Sequence, residues 1–80
     1  GLTKLMVSID AASAYTYKLI RRSNRYEEVV RNIEAFLALR ERMGAALPLV
    51  RVNFLQTALN AHEAEAFVRR WDGVADMIGF

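Results

Sequence analysis

The sequence predicts an α/β fold, a parallel arc with elements in the order β-α-α-β-α-β. Three segments, Lys4–Asp10, Leu49–Thr57 and Val74–Phe80, are predicted strands. The first is almost continuously apolar, as in a parallel strand buried on both faces, and the second alternates with a period of two. Helical patterns separate the three segments. Strands joined through helices pair in parallel with right-handed crossovers, so the order of elements itself predicts the parallel sheet.

Two helices are predicted between the first two strands. The first spans Ala14–Arg21. The second begins after Asn24, which forms a capping-box pattern with Glu27, and it ends at Gly44 as a C′ residue. The apolar stripe of this long helix has helical spacing and consists of Tyr26, Val29, Val30, Ile33, Phe36 and Leu37.

A third helix is predicted between the second and third strands. Asn60 begins it, with Glu63 as the capping-box partner, and Gly73 ends it. Its apolar face consists of Ala64, Phe67, Val68 and Trp71. The pattern contains no linker or internal repeat, so residues 1–80 are predicted to form a single domain segment.

Composition excludes several classes of function. The chain has 80 residues, a net charge of +2 and no cysteine. Such a weak charge predicts neither nucleic acid nor a membrane surface as a partner. Without cysteine these residues form no disulfide and offer no thiolate to a metal or an iron–sulfur cluster. No apolar run approaches the 18 residues of a membrane span, and we expect a cytoplasmic protein.

Both ends of the sequence are unusual for a complete domain. The chain begins at Gly1, enters a predicted strand almost at once, and ends inside the apolar run Val74–Phe80. Domains usually end in polar, frayed residues. We therefore expect a segment of a longer protein. An excised arc leaves open strand edges and a bare sheet face near Met6, Phe54 and Leu55, so self-association is expected as well.

Ser8 and Asp10 follow one another on the same face at the carboxyl end of the first strand. Ligands of α/β folds bind at the carboxyl ends of parallel strands, so the two residues could bind a polar small molecule. They could equally cap the next helix. Asn53, a polar residue within the second strand, is predicted either to line a cavity or to bond to an adjacent strand.

The other chemically active residues have simpler interpretations. The basic run Arg21–Arg25 precedes the long helix and could bind an anion, although a solvated loop is the favoured interpretation. Its neighbouring aromatic residues permit an RNA-binding hypothesis, but their helical spacing favours packing; they are Tyr15, Tyr17 and Tyr26. His62 has no second histidine or cysteine with which to form a metal site.

Taken in order, several strings resemble the second half of a radical S-adenosylmethionine (SAM) core. The strings are Val7–Asp10, Tyr17–Arg21, Tyr26–Ile33, Arg51–Leu55 and Asn60–Glu63. They match a strand ending in Ser-x-Asp, a helix ending in Ile-Arg, a long helix with an Asn-Ile pair, another strand and an Asn-x-x-Glu helix start. The resemblance covers nearly the whole sequence. It is closest to the branch with a further C-terminal cluster-binding domain, which modifies peptides, proteins or cofactors.

The resemblance implies a partial (β/α)6 TIM-type barrel that holds SAM and a [4Fe–4S] cluster at the carboxyl ends of its strands. In that family the cluster reduces SAM and releases a radical that abstracts hydrogen from the substrate. By matching position, Ser8 and Asp10 would lie beside the ribose and the amino-acid part of SAM. Arg21 would pair with the SAM carboxylate, and the Leu59–Asn60 stretch would approach the adenine.

The sequence also departs from the family. The Cys-x-x-x-Cys-x-x-Cys loop and the Gly-Gly-Glu stretch are absent, and Ala11 and Arg22 replace frequent glycines. The resemblance therefore implies that the parent protein is an enzyme, completed by the remainder of its barrel. The 80 residues alone are expected to be inactive and to bind neither cofactor tightly. The alternative is a stand-alone small α/β binding or interaction module without catalysis.

Overall fold

The computed structural model describes residues 3–80, in which three strands and three helices form one parallel α/β layer arrangement. The elements are β1 (Lys4–Ser8), α1 (Ala14–Arg21), α2 (Tyr26–Arg42), β2 (Leu49–Asn53), α3 (Ala64–Trp71) and β3 (Met77–Gly79). The sheet order is β1-β2-β3, and both strand pairs are parallel. This confirms the predicted β-α-α-β-α-β order and the parallel pairing.

The strands are shorter than the apolar patterns predict, because the residues beyond them hydrogen-bond to loops. After β1, the N–H groups of Ile9 and Asp10 both donate to the carbonyl of Asn53, which ends the regular ladder. Before β3, the N–H groups of Val74 and Ala75 donate to the Trp71 carbonyl and complete the turn after α3. The predicted strand ends at Asp10 and Thr57 and the predicted start at Val74 were therefore wrong.

The sheet has one covered face and one open face. Val7, Val52 and Ile78 are neighbours across the three strands and pack into the core beneath the helices. Met6, Arg51 and Met77 are neighbours on the opposite face. Because Met6 is 57% exposed, the expectation that β1 is buried on both faces was wrong. Residues 3–80 supply helices to one face only.

The core joins the covered sheet face to α2 and α3. Phe54 lies directly after β2 and is 1% exposed, with its ring 5.0 Å from Phe67 and 5.5 Å from Phe80 between centroids. Phe67 and Trp71 of α3 are fully buried. Complete burial of one such aromatic side chain stabilises the fold by roughly 1.5–3 kcal/mol. The expectation that Phe54 lies on the bare face was wrong, whereas Leu55 is exposed as expected.

The helices around the first crossover begin and end close to the predicted residues. α1 has the predicted bounds, and the Ser13 hydroxyl accepts the N–H of Thr16 as its N-cap. α2 begins after Arg25, which has no side-chain cap, so the predicted Asn24 capping box was wrong. Gly44 follows α2 with φ of 67°, a conformation that favours glycine, and confirms the predicted C′ residue. No helix within residues 3–80 has the length and hydropathy of a membrane span.

The third helix begins later than predicted. A 3-10 turn at Ala61–Glu63 leads into α3, which starts at Ala64 rather than directly after Asn60. Asn60 makes no side-chain cap to this turn, and Glu63 bonds to a distant loop. The predicted Asn60–Glu63 capping box was therefore wrong, because both side chains have partners elsewhere.

An ion pair connects the amino ends of β2 and β3 to α2. The Arg40 guanidinium donates to both carboxylate oxygens of Asp76, at 2.6 and 3.1 Å, and to the Pro48 carbonyl at 2.8 Å. The same carboxylate accepts the Val50 N–H at 2.6 Å. The hydrogen bonds from Arg40 hold the pKa of Asp76 below its usual value, and the Val50 N–H acts in the same direction. The charged form of Asp76 is thus favoured in the folded chain.

Asp76→Asn should reduce the free energy of unfolding at about pH 7 and make it less sensitive to acid. The folded pKa of Asp76 is lowered, so its charged form stabilises the fold above about pH 4 and ceases to do so as pH falls through the folded value. In urea denaturation, the difference in the free energy of unfolding between wild type and Asp76→Asn should become smaller toward about pH 3. Asp72→Asn, at an exposed position, should have little effect at either pH. An unchanged difference at low pH would contradict the assignment.

The chain should form dimers or larger assemblies at high micromolar concentration. Within residues 3–80, β1 and β3 have no strand partner on their outer edges, and the open face exposes Met6. Sedimentation velocity measures the association. Met6→Lys should shift the distribution toward monomer, whereas Leu39→Lys, at an exposed position of α2, should not. A monomeric wild type over this range would refute the prediction.

Candidate functional site

The candidate site lies at the carboxyl ends of β1 and β2, where the chain leaves the sheet. Asp10 has φ of 63°, in the left-handed region that aspartate tolerates better than most residues. Its N–H donates to the Asn53 carbonyl at 3.3 Å, while the side chain stays buried. This local conformation fixes the Asp10 carboxylate between the two strand ends.

The carboxylate of Asp10 has one backbone and one cationic partner. One oxygen accepts the Leu55 N–H at 2.7 Å, and the other lies 3.3 Å from Nη1 of Arg21. Arg21 ends α1, where the helix dipole favours a cation, and its side chain is 42% exposed. The guanidinium thus connects a buried carboxylate to the surface. Asp10 and Arg21, both predicted as site residues, lie together.

Asn60 joins the loops that follow β1 and β2. Its amide nitrogen donates to the carbonyls of Asp10 and Leu55, each at 2.9 Å. Its amide oxygen accepts the Thr57 N–H at 2.6 Å. The residue is fully buried, so both amide hydrogens and the carbonyl have protein partners. Asn60 is therefore next to the predicted site residues and holds their backbone in place, with Leu59 exposed beside it.

Glu63 belongs to the site, although the sequence predicted only a capping role for it. Its carboxylate accepts the Ala12 N–H at 2.8 Å and the Ser13 hydroxyl at 2.6 Å. Burial raises the pKa of Glu63, but the hydrogen bonds from Ser13 and Ala12, together with smaller contributions from Thr16 and His62, leave the pKa below the usual value. About 50 residues of sequence separate the partners, and no local pattern could identify the pair.

Ser8 and Asn53 face a cleft of about 350 Å³ beside the ion pair. The two residues are neighbours across β1 and β2 on the open face. The cleft is lined by Ser8, Asp10, Arg21, Arg51, Asn53, Phe54, Leu55 and Phe80. This volume is within the range of small-molecule sites. Three of the four predicted site residues, Ser8, Asp10 and Arg21, line it, and Asn60 lies behind it.

Arg22, Arg25 and the neighbouring tyrosines do not line this cleft. Arg22, the residue that follows α1, has a left-handed conformation, and Arg25 lies 3.7 Å from the Glu28 carboxylate. The rings of Tyr17 and Tyr26 pack 5.6 Å apart between centroids, which confirms the packing interpretation for these two. Tyr15 is exposed, so packing was the wrong prediction for this residue.

The residues present do not fit an iron–sulfur cluster. The sequence has no cysteine, and no three His, Asp or Glu side chains within residues 3–80 are grouped to hold a metal ion. They do fit a polar organic ligand, since a carboxylate, guanidinium groups and a hydroxyl line one cleft. Such a lining can bind and orient a ligand.

No protein-family description matches this sequence, and no curated protein or solved structure is significantly similar to it. The resemblance to the radical SAM core therefore stays a prediction. A function for the chain has to be argued from the cleft and its residues.

Asn60→Ala should destabilise the fold by about 3 kcal/mol, because it removes the partner of the buried Asp10 carbonyl and of two part-buried groups, the Leu55 carbonyl and the Thr57 N–H. This is a large fraction of the 5–15 kcal/mol typical of a domain. Urea denaturation measures the change. Asn32→Ala, at an exposed position of α2, is the matched control and should be neutral or slightly stabilising. Equal midpoints for the two variants would contradict the role assigned to Asn60.

Proposed function

We propose that this chain forms part of the SAM-binding wall of a radical SAM enzyme. The observation that supports this best is the Asp10–Arg21 ion pair beside Ser8, in a cleft at the carboxyl ends of parallel strands. The amino-acid part of SAM carries an ammonium and a carboxylate, and its ribose carries hydroxyl groups. A carboxylate, a guanidinium and a serine hydroxyl complement these groups one by one.

The geometry of the ion pair supports exchange with such a ligand. A charge-assisted N–H···O contact is usually 2.7–2.9 Å long, whereas the Arg21–Asp10 contact is 3.3 Å. Arg21 therefore has a weakly held guanidinium that can turn toward a ligand carboxylate. Asp10 stays anchored by the Leu55 N–H and can accept from the ligand ammonium. A zwitterionic ligand would replace the long Arg21–Asp10 ion pair with two ion pairs, one between its carboxylate and Arg21 and one between its ammonium and Asp10.

The surrounding residues divide the remaining tasks. Ser8 would bond to the ribose, and the exposed Leu59 would contact the adenine. Asn60 would act indirectly, because its side chain is already bonded to the two loops. In the whole enzyme the rest of the barrel would hold a [4Fe–4S] cluster, which would supply the electron for SAM-dependent radical chemistry on a peptide, protein or cofactor substrate. Residues 1–80 would contribute binding and orientation to that enzyme.

The coding sequence that flanks these residues gives the first test. The proposal requires a Cys-x-x-x-Cys-x-x-Cys segment earlier in the same reading frame, followed by the first strands of the barrel. An open reading frame that ends at these 80 residues, without such cysteines, would refute the enzyme assignment.

Arg21→Ala in the full-length protein should weaken SAM binding about 10- to 150-fold, the factor that corresponds to one charged hydrogen-bonding partner. Calorimetric titration measures the dissociation constant. Arg21→Lys keeps a cation beside Asp10 but loses the two-point geometry, so it should retain stability and lose part of the affinity. Arg22→Ala is the control and should bind nearly as wild type. Equal affinity of the wild type and Arg21→Ala for SAM would refute the assignment of Arg21 to the SAM carboxylate.

The second candidate function is a stand-alone binding or interaction module without catalysis. It is favoured by the way the site loops bond to one another through Asn60 and Glu63, so that the carboxyl end of the sheet is held within these residues. Cooperative unfolding of the 80-residue chain, together with a reading frame that lacks the cysteine segment, would favour this candidate.

A further inference from the structure

Arg51 lies at the centre of the open sheet face and has an unusual environment. It is partly buried in the middle of β2, with Met6 and Met77 as its neighbours on the two flanking strands. Its guanidinium lies over Gly79 of β3, where an added Cβ would collide with Nη2 and Nε. The lack of a side chain at Gly79 gives the guanidinium its place on the sheet.

One hydrogen bond orients this guanidinium and leaves its outer edge available. Nε donates to Oδ1 of Asn53 at 2.7 Å. Within residues 3–80, neither Nη1 nor Nη2 has a protein acceptor or a carboxylate partner. The Nη1–Nη2 edge is the part of arginine that binds a carboxylate or phosphate through two parallel hydrogen bonds.

A comparison with the other partly buried arginines makes Arg51 an exception in the part of the chain described. Arg40 pairs with Asp76, and Arg70 pairs with Glu34. Arginines without a carboxylate partner are otherwise exposed to solvent; they are Arg22, Arg31 and Arg42. Among the partly buried arginines of residues 3–80, Arg51 alone has a held orientation and no carboxylate beside it.

We propose that Arg51 is the anchor for the oxyanion, carboxylate or phosphate, of a small molecule bound in the cleft at the carboxyl end of the sheet. Leu55 and Phe80, both exposed, supply apolar walls for the body of that molecule. The ligand of Arg51 is a molecule other than SAM, whose carboxylate is assigned to Arg21. The Arg51 site requires only this cleft and does not depend on the proposed SAM function. In a SAM enzyme the molecule held by Arg51 would be the second reactant.

The test uses the 80-residue chain and three small probes that share an aromatic ring. Phenylacetate carries a carboxylate, phenyl phosphate carries a phosphate, and phenylacetamide is the neutral control. We expect at least one anion to bind with a dissociation constant in the millimolar range, which is ordinary for about ten heavy atoms. Binding should shift the Arg51 Nε–Hε signal in NMR spectra of the wild-type chain, and phenylacetamide should not.

Variants then assign the effect to Arg51. Arg51→Gln should weaken anion binding at least tenfold, whereas Arg31→Gln, at an exposed position of α2, should leave it unchanged. Gly79→Ala keeps Arg51 but fills the place of its guanidinium, and it should also weaken binding. The two anions distinguish a carboxylate ligand from a phosphate ligand.

Two results would overturn the proposal: no shift of the Arg51 signal with either anion, or equal affinity in wild type and Arg51→Gln. The wild-type measurement decides the matter even if a variant fails to fold. A chain that binds phenylacetate but whose full-length parent does not bind SAM would retain the Arg51 site and remove only the proposed SAM function.

Discussion

The buried amide of Asn60 is the interaction on which the site depends most. It bonds to the loop after β1 through the Asp10 carbonyl, and to the loop after β2 through the Leu55 carbonyl and the Thr57 N–H. A buried amide is costly unless its donors and acceptor are paired. Here they are paired only when both loops are in their observed positions. The alignment of Asp10 with the β2 loop follows from that requirement.

The polar side chains at this end of the sheet share one task. Each accepts an N–H that the short strands leave without a ladder partner: Asp10 accepts Leu55, Glu63 accepts Ala12, and Asn60 accepts Thr57. Buried or partly buried N–H groups need such partners. The open face of the sheet is different, because its side chains are not required to satisfy the backbone. Asn60 and Glu63 thus build the site, whereas Asp10 satisfies the backbone with one oxygen and can face a ligand with the other.

Local patterns in the sequence were enough to predict the elements but not their ends. α1 was predicted with its correct bounds, because the helical pattern of its residues is local in the sequence. β1 and β2 end where loops meet through residues such as Asn60, about 50 positions from Asp10, and no local pattern contains that information. The Asn60–Glu63 spacing suggested a capping box, but stronger long-range partners took both side chains. The proximity of Asp10 and Arg21 was expected only through the family resemblance.

The place of the Arg51 guanidinium over Gly79 has an evolutionary consequence. A side chain at residue 79 enters the space that the ends of the Arg51 and Asn53 side chains occupy, so these flexible ends would have to move aside. Residues that share space in this way have non-additive effects when both are substituted. A lineage that acquires alanine at position 79 would lose the observed place of the Arg51 guanidinium. Selection for that place would therefore act on the glycine as well.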